Sequence, residues 1–188
     1  SEGWWSSVPI TGFDGDLLAT WGATFIRSRL EQVHGGPVAQ NVGAFYSLSA
    51  ADKSYLSTLG VNADSLLAWM NAHTNITARN SARQHLEHYL NPSGNLRRPV
   101  ITMHAIVDPI VPVSHEAVYR DLVQATGSGD KLVQVFANAR HASFSADQYL
   151  AALAAIEHWL DTGARPGASF FPASKGFDTN YVPPPWPY

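Results

Sequence analysis

Apolar positions along the chain follow two different periods, which meet near residue 95. Before that point they recur every three or four residues, the spacing of a helix with one buried face. Leu17, Leu18, Trp21, Phe25 and Leu30 trace such a stripe. They predict a helix over 17–33, capped by Asp14 or Asp16 and stopped by His34-Gly35-Gly36-Pro37, after an irregular Gly/Ser/Trp-rich lead-in over 1–14. Ser49-Ala50-Ala51-Asp52 has the form of a capping box and opens a short helix to Leu59. Gly60-Val61-Asn62 interrupts it, and a further helix starts at Ala63 or Asp64 and runs through Ala72. Thr77 is placed to cap a helix over 78–90, ended by Asn91-Pro92-Ser93-Gly94. The stretch 15–90 therefore reads as three or four helices without a strand.

From Arg97 onward the period changes. Val100–Met103, led in by Pro99, is a short apolar run of the kind found in buried strands. It gives way at Asp108-Pro109, where the proline biases the aspartate towards an extended backbone and sets a turn. Ala117, Val118, Leu122 and Val123 then define a helix from about Ser114 to the Gly127-Ser128-Gly129 break. A second apolar run, 131–136, ends in a loop carrying His141. The last helix, about 145–161, turns Tyr149, Leu150, Leu153, Ile156, Trp159 and Leu160 to one side and closes at Gly163. The tail, 166–188, is rich in proline and aromatic residues and excludes a regular helix or a central strand. Strand, helix, strand, helix is an α/β order. Two parallel strands make no independently stable sheet, because buried parallel strands need neighbours. Either the helical stretch conceals further strands or a second polypeptide supplies the missing ones, and the expectation is the second.

Composition narrows the chemistry. The chain has 188 residues, 45% of them hydrophobic and only 14% charged, so much of its surface must be uncharged or covered. The net charge of −3 gives no reason to expect nucleic acid or an anionic membrane as partner. No apolar stretch is long enough to suggest a membrane span. With no cysteine, disulfides, thiolate-bound metals and a cysteine nucleophile are all excluded. Ser1 in place of an initiator methionine suits a proteolytically processed product. The compartment stays open, with a secreted setting favoured.

The candidate chemistry lies in two loops. One, in the stretch Pro99-Val-Ile-Thr-Met-His104-Ala-Ile-Val-Asp108-Pro-Ile-Val-Pro112, carries an acid; the other, Asn138-Ala-Arg140-His141, carries a histidine one helix and one strand later. The first resembles the segment of bacterial α/β-hydrolases that delivers the triad acid, with the pattern P-V-L-x-x-H-G-x-x-D-x-x-V-P, and the second resembles their final G-H loop. The resemblance covers about 92–165, and 15–90 in the weaker sense that such enzymes often insert a helical cap. It implies a helical cap or lid over 1–95, the C-terminal hydrolase segment with the last two strands and helices over 96–165, and an appended tail over 166–188. It also implies that Asp108 orients His141, and that His141 acts as general base and then acid in cleaving an ester or amide of a small molecule, with no cofactor and no metal. No G-x-S-x-G occurs. Gly167-Ala-Ser169-Phe-Phe171 lacks the last glycine and follows the histidine. The serine and the oxyanion hole must therefore come from a partner chain holding the N-terminal hydrolase half. Ala105 and Arg140 stand where the family has glycine. They motivate an alternative: a non-catalytic binding or structural subunit with hydrolase architecture.

Other features have plainer readings. An aspartate before proline is by itself an ordinary turn initiator, and loop histidines are usually solvated; here the two lie at the right spacing to pair. His104 at a strand end reads as a packed structural residue, and His115 is assigned nothing. His85 and His88 sit three apart on one helix without a third ligand or H-E-x-x-H spacing, which reads as a partly exposed face. Trp21, Phe25, Phe45, Tyr46, Trp69 and Met70 are either core or the wall of an acyl or aryl pocket. Asn75-Ile76-Thr77 matches a glycosylation sequon, and the PPPWPY end reads as lying along the body.

Overall fold

The helical first half forms where the periodicity places it, with local corrections at its caps. The computed structural model describes residues 13–108 and 111–186, and of 13–23 the backbone alone. The lead-in over 1–12, Pro109 of the Asp-Pro turn and the last two residues of PPPWPY lie outside the described residues. α1 spans Phe13–His34, so Asp14 and Asp16 lie within the helix and do not cap it. Of its apolar stripe, Phe25 is exposed and Leu30 half-buried, while Trp21 is among the residues whose side chains are not described. α2, Ala50–Thr58, is capped by Ser49, whose hydroxyl oxygen accepts from Asp52 N at 3.1 Å and donates to the Asp52 carboxylate at 2.6 Å. α3, Ala63–Ala72, is capped by Asn62, which accepts from Ser65 N.

α4 spans Asn80–Leu90, two residues shorter at its start than Thr77 as a cap would give. Arg79 holds the N-cap position in extended conformation, without a side-chain cap. Its backbone N–H donates to Pro37 O and its guanidinium to Gly35 O, both at 2.7 Å. That tie to the end of α1 fixes the backbone at Arg79 and delays the first helical turn.

Contacts divide the chain between Asn91 and Pro92 into two compact units, and the tail belongs to the second. In that unit β1, Val100–Ala105, pairs in parallel with β2, Leu132–Ala137, in the register Val100↔Leu132 to Ala105↔Ala137. α5, Ser114–Ala125, connects them, and α6, Ala146–Thr162, follows β2. The described residues thus form a mixed helix-and-strand chain with one two-stranded parallel sheet. Ser145 and Gln148 make a capping box at the start of α6, and Gly163, at φ 72°, ends it in the left-handed conformation that a side chain would strain.

The pleat sends alternate residues to opposite faces. On one face Val133, Val135 and Ala137 pack with Ala151, Ala155 and Trp159 of α6 and with Phe171 and Phe177 of the tail. On the other, Thr102 Oγ1 donates to the Glu116 carboxylate at 2.7 Å, and the Gln134 amide donates to the same carboxylate and to Glu116 O. Glu116 thereby holds the first turn of α5 to both strands.

The two sheet edges differ. The outer edge of β2 is closed by its own chain: Asp178 N donates to Phe136 O at 2.9 Å, Asn138 N to Gly176 O at 3.0 Å, and Arg165 to Leu132 O at 2.6 Å. Ala137 and Phe177 form an antiparallel bridge there. Farther along, Tyr181 packs on Phe136 and Trp186 stacks on His115, so the tail does lie along the body. Ile106 N bonds Ala137 O, which by the alternation of a parallel ladder turns the backbone groups of Ile101 and Met103 to the opposite edge. Among the described residues no strand occupies that edge.

Candidate functional site

Parallel strands deliver the loops at their C-terminal ends to the same side of the sheet, where sites of open α/β sheets are built. Asp108 follows β1 after a two-residue turn, and His141 follows β2 after Asn138-Ala139-Arg140. The structure brings them together: His141 Nδ1 lies 2.9 Å from Asp108 Oδ2 and 3.1 Å from Oδ1. An ionised carboxylate only accepts, so Nδ1 is the donor and the neutral ring keeps its lone pair on Nε2. The Asp108 side chain is 5% exposed and the His141 ring 40% exposed, so the acid is enclosed while the ring remains reachable.

Both residues are held by their own loops. Val111 N donates to Asp108 Oδ1 at 2.9 Å, an Asx-type turn that pins the carboxylate. In the second loop Ser143 N donates to Arg140 O at 3.0 Å, and Ser143 Oγ donates to His141 O at 3.2 Å. Ala142, next to the histidine, has φ 51° and is the one non-glycine residue with positive φ among those described. Strained backbone beside a paired side chain is a frequent property of functional loops. The tail contributes through Gly176 O, which accepts from Asn138 N at the root of the histidine loop.

Several other histidines have partners of their own. His104 Nδ1 donates to Ala105 O at 2.8 Å, at the end of its own strand. His115 has its pKa pushed below the usual histidine range, first by burial and then by the charge of His104, with Glu116 acting in the opposite direction. His85 bonds not to His88 but to the buried His34, Nδ1 to Nδ1 at 2.7 Å. Among the described residues no group of three or more His, Cys, Asp or Glu is placed to hold a metal ion. Ser169 lies in a 3₁₀ turn over 168–170 and is exposed.

The sequence reading missed the Val111 amide, the left-handed Ala142 and the contribution of the tail. The first was available from Asp108 itself, since aspartate characteristically accepts from backbone amides two or three residues on. Ala142 carried no signal, because alanine does not announce positive φ. The tail was signalled in part by Phe170, Phe171 and Phe177, large apolar residues in a segment otherwise built for turns.

No family model, no curated protein and no solved structure matches the chain.

Proposed function

We propose that the chain is the acid- and histidine-bearing subunit of a two-chain α/β-hydrolase that cleaves an ester or amide by a Ser-His-Asp triad. A partner polypeptide supplies the serine, the oxyanion-hole amides and the earlier strands. The observation that carries the reading is the Asp108–His141 pair: an enclosed carboxylate on one nitrogen of a ring whose other nitrogen is reachable. Nε2 takes the serine proton as Oγ bonds to the substrate carbonyl carbon, and Asp108 stabilises the imidazolium. The ring then gives that proton to the leaving group as its bond to carbon breaks. In the second half water replaces the serine, by the same proton path in reverse order.

The two-chain part is supported by the unequal sheet edges. The edge at Ile101 and Met103 has the hydrogen-bonding pattern that accepts one more parallel strand, whereas the β2 edge is taken. On α6, Leu150, Leu153 and Leu160 are exposed along one stripe, the surface that a neighbouring helix in a complete hydrolase body would cover.

The test is native mass spectrometry of the purified protein after reaction with a fluorophosphonate, followed by separation of the chains. The expected result is a second, different chain that alone carries the label, with a His141→Ala substitution abolishing labelling. A chain that occurs alone, or labelling that survives His141→Ala, overturns the proposal; the first outcome leaves a binding subunit with hydrolase architecture.

A further inference from the structure

The first unit contains a hollow that its own packing leaves unfilled. Tyr46 and Leu48, Tyr55 and Leu56 of α2, and Leu67 and Met70 of α3 surround a cavity of about 390 Å³. The hollow opens to solvent: Tyr55 and Leu66 on its rim are 44% and 46% exposed, and Tyr46, Leu48, Leu56, Leu67 and Met70 are half-buried. A void of roughly 150 Å³ already accepts a benzene ring, and this one falls within the ~300–1,000 Å³ of small-molecule sites.

Its walls are fixed by polar clamps placed around it. The Asn71 side chain accepts from Tyr46 N at 2.7 Å and donates to Tyr46 O at 3.0 Å, binding the 46–48 segment to α3. Lys53 and Asp64 pair at 2.7 Å and tie α2 to α3. Asp52, the one charged residue on the lining, is engaged by the Ser49 hydroxyl. Among the described residues no cationic side chain lines the hollow. The lining therefore offers a ligand mainly apolar contact, with no cation to pair with an anion and one carboxylate to repel it. Of the aromatic and methionine positions noted in the sequence, Tyr46 and Met70 line the hollow, whereas Phe45 and Trp69 are 81% and 61% exposed.

We infer that the first unit binds an uncharged apolar ligand between the 46–48 segment, α2 and α3, a two-ring aryl group or an aliphatic chain of similar volume. This site goes beyond the hydrolase reading and stands whether or not the triad acts.

The chain offers a direct test, since its two methionines are Met70, in the hollow, and Met103, in β1 of the other unit. The full chain, labelled with ¹³C at the methionine methyl groups, is titrated with 1-naphthol. The Met70 resonance is expected to shift saturably while that of Met103 stays in place. Naphthalene-1-sulfonate, of similar size but anionic, should bind at least tenfold more weakly. A Leu67→Trp substitution, which fills the hollow, should abolish the Met70 shift. Leu56→Phe provides a smaller filling change, expected to weaken binding, if the tryptophan disturbs the fold. A stationary Met70 resonance, equal non-saturating movement of both methyls, or equal binding of the sulfonate overturns the inference. Loss of turnover in triad variants leaves this result unaltered, so the two ideas fail separately.

Discussion

Replacing Asp108 by asparagine puts the proposed chemistry to a quantitative test, because the change keeps shape and alters only where protons sit. In the native arrangement Oδ1 accepts from Val111 N and, at 3.1 Å, from His141 Nδ1, while Oδ2 accepts from Nδ1 at 2.9 Å. In the Asp108→Asn protein the Val111 N–H selects the amide orientation, since it bonds to an oxygen and repels an NH₂. The NH₂ group then occupies the Oδ2 position, the closer of the two contacts to Nδ1. Two donors cannot face each other there, so the ring moves its proton to Nε2 and presents its lone pair to the amide. A ring protonated on Nε2 cannot accept the serine proton. Loss of the correct tautomer in a triad of this type lowers kcat by about 10⁴-fold, equivalent to roughly 5.4 kcal/mol at 1.36 kcal/mol per factor of ten. The assay is hydrolysis of 4-nitrophenyl butyrate by the assembled protein, read as kcat and KM separately, with circular dichroism to verify the fold. The loss should fall on kcat, with KM nearly unchanged, and the fluorophosphonate labelling rate should fall in parallel. A folded Asp108→Asn protein that retains more than about a tenth of the activity would refute the tautomer argument.

Three further outcomes follow from the geometry. Gly94, at φ 72°, has space for no side chain: an added Cβ would stand 2.6 Å from Leu122 O and 2.8 Å from its carbonyl carbon. Gly163 has the same φ with nothing within 4 Å; urea unfolding should therefore give a cost of ~1–2 kcal/mol for Gly163→Ala, from the backbone alone, and a clearly larger one for Gly94→Ala. Ala142→Gly should relieve the φ 51° strain, leaving activity intact and stability unchanged or up to about 1 kcal/mol higher, whereas Ala142→Val should cost both; equal behaviour of the two would refute strain at that position. His115 titrates below its ordinary value of 6.5, so the unfolded chain takes up its proton first as the pH falls. Its contribution to stability is complete above pH 6.5 and is lost on acidification below it; melting curves between pH 8 and 5 should show this loss, and His115→Gln should flatten that part of the profile.

What could be read in the sequence depended on how local each cause was. The α/β order, the cap at Ser49 and the Gly163 stop rest on residues adjacent in the chain, and their side chains carry the signal. The Asp108–His141 contact is long-range, yet two strands in parallel register bring their terminal loops together, and the resemblance of those loops to the acid and histidine loops of α/β-hydrolases made the pair legible. The start of α4 was misread because its cause is tertiary: Arg79 is drawn to Gly35 and Pro37, residues far away in the chain. The closing of the β2 edge was hidden for a similar reason, since Gly176 and Asp178 act there through backbone groups, which every residue possesses.

The closed edge of β2 has a consequence for growth. A sheet open on both sides can be extended copy after copy, and a head-to-tail contact that does not close generates a fibre. Here the tail terminates one side, so copies cannot add in series. Among the described residues only β1 has an edge that no strand occupies, so two copies can meet by strand pairing only β1 to β1, across a two-fold axis that reverses the strand direction and uses both edges at once. The tail thus works as a chain terminator for the sheet: anything that joins this polypeptide by strand pairing joins from one direction, and self-association by that route stops at a pair.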